Sequence, residues 1–130
     1  MIADDFDALR ENIKSFVNKQ PDIEVVGEAR DGKTAVELAK NLSPDVILMD
    51  ISMPKLSGIE AAGKILSNNA AARIIILSTR SDKRFVVAGF KAGVAGYVLK
   101  SSIFDDLLPA IRAVMANEFF LSPQIKDVEI

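Results

Sequence analysis

Short apolar runs alternate with stretches of helical periodicity along the whole chain, and most of those runs are closed at once by a polar or charged residue. The runs are residues 2–3, 23–29, 46–49, 73–77 and 96–99. Residues 46–49 are a continuous apolar tetrad, as required of a strand covered on both faces. Between the runs, apolar residues recur three and four apart, as in Leu9, Ile13, Phe16 and Val17, or Ala35, Leu38, Ala39 and Leu42. Five β/α units in strict alternation predict an α/β fold: a doubly wound, five-stranded parallel sheet with right-handed crossovers and helices on both faces.

Punctuation residues set the expected boundaries. Pro21 and Asp22 end the first helix, Asp31 caps the second, and Ser43 with Pro44 closes it. A third helix is expected over residues 58–67, and a fourth from an Asp82 cap to Ala92, with Gly93 as its stop. Proline is harmless only in the first helical turn, so Pro109 predicts that the fifth helix starts near Asp105. Residues 118–130 read as a tail partly ordered by Phe119, Phe120 and Leu121.

A chain of 130 residues with 49% hydrophobic and 26% charged side chains is one ordinary globular domain, not a disordered segment. The apolar runs are too short to span a bilayer and the start lacks a secretory pattern, so a cytoplasmic location is expected, with no membrane partner. A net charge of −2 and the lack of a dense Lys/Arg cluster argue against DNA binding by this chain alone. There is no Cys and no His, which removes thiol nucleophiles, zinc ribbons, imidazole bases and phosphohistidine. Any phosphate chemistry here rests on carboxylates and hydroxyls.

Parallel strands bring the residues that follow them to one edge of the sheet, where ligands bind. Asp4, Asp5, Asp50, Ser78 and Lys100 all fall there. Three carboxylates, a hydroxyl and an ammonium around one point suit Mg²⁺ and a phosphoryl group. Taken singly each has a plainer reading: Asp4 and Asp5 as helix caps, Asp50 as a loop residue, Lys100 as a surface lysine, Tyr97 as core. Their shared edge favours the site.

The segments ADD, VILMDISMP, IIILS and GYVLK, in this order and spacing, resemble the receiver domain of two-component response regulators. Residues 21–27, GVAGYVLKSS and ANEFFLS are most similar to receivers of LuxR-type transcription regulators. The resemblance implies a flavodoxin-like sheet of order 2-1-3-4-5, with a receiver over residues 1–117 and a tail or linker start over 118–130. A DNA-binding domain normally follows in that group. The resemblance also implies that Asp50 takes a phosphoryl group from a sensor histidine kinase. Asp4, Asp5, Asp50 and the Ser52 carbonyl would hold Mg²⁺. Lys100 pairs with the phosphoryl oxygens, Ser78 and Tyr97 switch with them, and Ser52 and Thr79 tune hydrolysis. Such a protein is a signalling phosphoacceptor that catalyses only its own phosphorylation and dephosphorylation, and it is expected to form a homodimer when phosphorylated.

Two features depart from that pattern. Only Met1 to Ala3 precede the acidic pair, so the first strand is shortened and a swapped segment or an exposed sheet edge is a possible remedy. No DNA-binding domain follows, as in a free-standing receiver or a cut piece of a longer protein, and the tail's composition favours the cut piece. Two rival functions remain at this point: a non-phosphorylated interaction module, and an aspartyl-phosphate hydrolase of the haloacid dehalogenase type. The hydrolase wants a second Asp where this chain has Ser52, so it lacks a general acid. A flavin-binding reading is weaker, because no Ser/Thr-rich phosphate loop follows the first strand.

Overall fold

A computed structural model describes residues 1–125. The elements in chain order are β1 (Ile2–Ala3), α1 (Asp7–Asn18), β2 (Glu28–Ala29), α2 (Gly32–Leu42), β3 (Val46–Asp50) and α3 (Gly58–Asn68). They continue with β4 (Arg73–Ser78), α4 (Lys83–Ala92), β5 (Gly96–Leu99), a 3₁₀ turn (Lys100–Ser102), α5 (Ile103–Met115) and β6 (Phe120–Leu121). The strands form one parallel sheet in the order β2-β1-β3-β4-β5-β6.

Side chains alternate across each strand and so feed two separate cores. Ile47, Met49, Ile74, Ile76 and Tyr97 pack on one face with Ala35, Ala61, Ala62, Ile65 and Val86 of α2, α3 and α4. Leu48, Ile75, Leu77 and Val98 pack on the other with Ile13 and Val17 of α1 and Leu107, Ile111 and Val114 of α5. Both faces of the central strands are therefore dry, which explains their unbroken apolar runs.

Local chemistry sets most boundaries where the residues indicate. Asp31 Oδ1 accepts the Thr34 N–H at 2.7 Å and caps α2. Gly93, at φ 104°, ends α4 in the left-handed conformation that glycine adopts without strain. Asp82 precedes α4 as expected, but its side chain makes no capping hydrogen bond.

Three expectations are corrected. The sheet has six strands, not five, because Phe120–Leu121 of the tail pairs with the outer edge of β5. The fifth helix starts at Ile103, placing Pro109 in its interior. The N–H that proline lacks would have served the carbonyl of Asp105, and both residues are exposed, so the lost bond falls on the solvent side of the helix. Finally, β2 is confined to Glu28–Ala29 instead of spanning residues 23–29. A strand needs a neighbour, and β1 offers only two residues, with Ile2 opposite Glu28 and Ala3 opposite Ala29. Residues 23–26 have nothing to pair with. They border a groove of about 500 Å³, lined also by Val46, Ile111 and Met115. The last five residues of the expected tail, 126–130, lie outside the described residues.

Candidate functional site

Four strand ends meet at the carboxyl edge of the sheet. Asp4 and Asp5 follow β1, Asp50 ends β3, Ser78 ends β4 and Lys100 follows β5. One carboxylate oxygen each from Asp4, Asp5 and Asp50 lies within 4.8 Å of the others. Lys100 Nζ stands 3.1 Å from Asp50 Oδ1 and 3.2 Å from Asp4 Oδ2, bridging two carboxylates that would otherwise repel. Asp4 and Asp50 are buried, whereas Asp5 faces solvent.

This arrangement perturbs the protonation of its members. Burial, reinforced by the charge of Asp4 and opposed by Lys100, pushes the Asp50 carboxyl up to about 6. Burial also works against the Lys100 ammonium, but Asp50 and Asp4 outweigh it and hold its pKa above the ordinary value. Burial raises the Tyr97 phenol, with the Ser78 hydroxyl opposing.

The remaining predicted residues form a second layer. Ser78 is buried and its Oγ accepts the Arg80 N–H at 2.9 Å. The Tyr97 hydroxyl, also buried, donates to the Arg80 carbonyl at 2.7 Å. Both switch candidates thus hold the same stretch of backbone after β4. Ser52 and Thr79 are exposed at the rim, and the Ser52 N–H donates to Asp50 Oδ1 at 3.3 Å.

The donor set fits a hard divalent cation. Asp4 Oδ2 is buried with no hydrogen-bond donor aligned on it, its contact with Lys100 being an ion pair only. An all-oxygen cluster that keeps one buried lone pair free matches Mg²⁺ better than a softer metal.

Two supports of the site escape a reading of the strand ends. Arg10 is nearly buried on α1, where its guanidinium donates to the Asp4 carbonyl at 2.8 Å, Asp7 Oδ1 at 2.7 Å and Glu28 Oε1 at 3.1 Å. It fixes the acidic doublet from behind. Its signal is its place at helical spacing from buried Ile13 and Val17, which a stripe drawn through apolar residues alone passes over. Gly58 is the second support: a Cβ there would stand 2.2 Å from the Asp50 carbonyl oxygen, so only glycine lets α3 begin against the end of β3.

Residues 1–112 match the response regulator receiver domain family. The chain belongs to that family. The receiver is 44% identical over 117 residues to the uncharacterized transcriptional regulatory protein YxjL of Bacillus subtilis, covering 90% of this chain and 54% of YxjL. It is 38% identical over 128 residues to the nitrate/nitrite response regulator NarL of Escherichia coli K12, covering 98% of this chain and 59% of NarL. The chain therefore spans little more than half the length of these relatives. A solved LuxR-family response regulator from Aurantimonas sp. SI85-9A1 superposes with a TM-score of 0.93 at 37% identity, covering 96% of this receiver and 89% of that chain. The isolated receiver domain of RcsB from Salmonella enterica serovar Typhimurium, solved in the presence of phosphomimetic BeF₃⁻, gives 0.87 at 26% identity, covering 95% and 92%. The relatives are LuxR/NarL-type response regulators, in line with the resemblance carried by the motifs. Among the described residues no helix is long and apolar enough to cross a membrane.

Proposed function

We propose that this receiver takes a phosphoryl group on Asp50 from a phosphohistidine of a sensor histidine kinase, in a Mg²⁺-dependent reaction, and thereby switches an output surface for a transcription regulator. The observation that carries this reading is the ionisable Asp50 at the end of β3, in contact with Lys100 and beside two further carboxylates. An Asp50 oxygen attacks phosphorus while the phosphorus–nitrogen bond breaks. Its electron pair leaves with the imidazole, which takes up a proton. Phosphoryl transfer has a loose transition state, so positioning and charge neutralisation provide most of the catalysis.

Lys100 neutralises the phosphoryl oxygens from the β5 side. Asp4, Asp5, Asp50 and the Ser52 carbonyl would hold Mg²⁺, which would supply charge to offset the negative phosphoryl oxygens. The Ser78 hydroxyl then leaves Arg80 for a phosphoryl oxygen, and Tyr97, tied to that backbone, carries the change to the surface of α4, β5 and α5. Ser52 and Thr79 at the rim tune the approach of hydrolytic water. The protein acts in the cytoplasm, self-associates when phosphorylated, and reaches DNA only through a separate domain to which residues 118–130 lead.

Incubation with acetyl phosphate and Mg²⁺, read by intact mass, tests the proposal. One added phosphoryl group on the wild type and none on Asp50→Asn is expected. An unmodified wild type, or an adduct that survives the substitution, refutes it.

A further inference from the structure

The backbone on both sides of Lys100 is fastened to one buried carboxylate outside the phosphoryl pocket. Ahead of it, the Leu99 N–H donates to Ser122 Oγ at 2.9 Å. Behind it, the Ser102 hydroxyl in the 3₁₀ turn donates to Asp106 Oδ2 at 2.7 Å. The Ser122 hydroxyl donates to that same oxygen, also at 2.7 Å. Ser102, Asp106 and Ser122 are 8%, 7% and 0% exposed. The Ser102 hydroxyl has only one proton to give, and Gln124 Oε1 at 3.2 Å and the Leu99 carbonyl at 3.5 Å are the more distant acceptors.

Asp106 thereby joins the end of β5, the turn after Lys100, the first turns of α5 and the segment that follows β6. That segment is itself in place: the Ser122 N–H donates to the Tyr97 carbonyl at 3.0 Å, and the Ile125 N–H to the Ser122 carbonyl at 2.9 Å. A buried carboxylate with two hydroxyls donating to one of its oxygens is costly to keep for packing alone. The acidic start of α5 lessens that cost through the helix dipole but does not account for the shared oxygen.

We propose that Asp106 and Ser122 are positioning residues that form a clasp, coupling the placement of Lys100 to the docking of residues 120–125 against β5. The clasp rests on the reading of Asp50 as phosphoacceptor. A phosphoryl group arriving between Asp50 and Lys100 widens their 3.1 Å contact. The Lys100 side chain is only 19% exposed, so packing limits how much of that displacement its stem absorbs. The rest passes to the Leu99 and Ser102 bonds, and so to the segment leading out of the domain. Linkage makes the effect reciprocal: releasing that segment must alter phosphorylation of Asp50.

The test uses the full chain with acetyl phosphate and Mg²⁺, combining an intact-mass time course with amide hydrogen exchange over residues 118–125. In the wild type, phosphorylation is expected to change exchange in this segment by about fivefold or more, the lower end of ordinary allosteric coupling. Ser122→Ala should exchange fast in both states and shift the equilibrium affinity for beryllofluoride with Mg²⁺, a stand-in for the phosphoryl group, by a similar factor. Asp106→Ala, which removes the oxygen shared by both hydroxyls, should change in the same direction as Ser122→Ala. A phosphorylated wild type with unchanged exchange overturns the clasp and needs no variant to fold. So does a Ser122→Ala chain that loses tail protection yet binds beryllofluoride with wild-type affinity, because a merely structural role gives that pattern. A wild type that takes no phosphoryl group removes the acceptor reading and the clasp with it.

Discussion

Asp50→Asn should make the metal-free protein more stable at neutral pH and no more stable in acid. The Asp50 carboxyl has an ordinary value of 3.8 and stands at about 6 in the fold. Between those two values the folded chain holds its proton longer than the unfolded chain does, so stability falls as pH rises through this window and stays low above it. A displacement of that size corresponds to about 3 kcal/mol, and it already includes the favourable pull of Lys100. Asparagine carries no charge to desolvate, so the variant should gain about 1–3 kcal/mol above pH 7. Urea unfolding in EDTA from pH 4 to 8 measures this. The expected midpoint shift is about 1 M at pH 7.5, closing as pH falls below about 5. A variant no more stable than wild type at pH 7.5, or a gap that persists unchanged at pH 4, would refute the account of strain in the pocket.

Mg²⁺ at a hundred times its dissociation constant should stabilise the wild type by about 2.7 kcal/mol in thermal melts. Asp5→Asn should weaken that gain while moving metal-free stability by less than about 0.5 kcal/mol, because Asp5 is exposed. Equal Mg²⁺ stabilisation of both proteins would count against the ligand set. Arg10→Ala leaves the Asp4 carbonyl without its side-chain donor and Glu28 with Lys14 alone, and should cost about 2–3 kcal/mol by urea midpoint, against an expectation near zero for a surface arginine. In Gly58→Ala the new methyl meets the Asp50 carbonyl, so destabilisation by about 3 kcal/mol or more is expected, with slower phosphorylation read by intact mass. Wild-type stability there would show that α3 can retreat without cost.

The strand ends were legible because their signal is local. Asp50, Ser78 and Lys100 each follow an apolar run that needs only to be a buried parallel strand, and register does the rest. Non-local features were not. Residues 23–26 carry strand-like side chains, but a strand also needs a paired neighbour, and on that side β1 pairs only with Glu28 and Ala29. The start of α5 depends on where the carbonyl facing Pro109 points, which a rule about proline position does not contain. The Arg10 bonds and the Asp106 clasp join residues far apart in the chain through polar side chains. Periodicity of apolar residues has no term for these.

β1 joins β2 and β3 by two residue pairs each, and the acidic doublet hangs from this short seam. Such a seam opens locally at far less cost than the long β3–β4 ladder beside it. A cation held by Asp4, Asp5 and Asp50 would tie that seam to the end of β3, a strand paired along five residues with β4. On the proposed ligand set, binding the ion would favour the closed seam by linkage, so metal affinity and the local stability of β1 would rise and fall together.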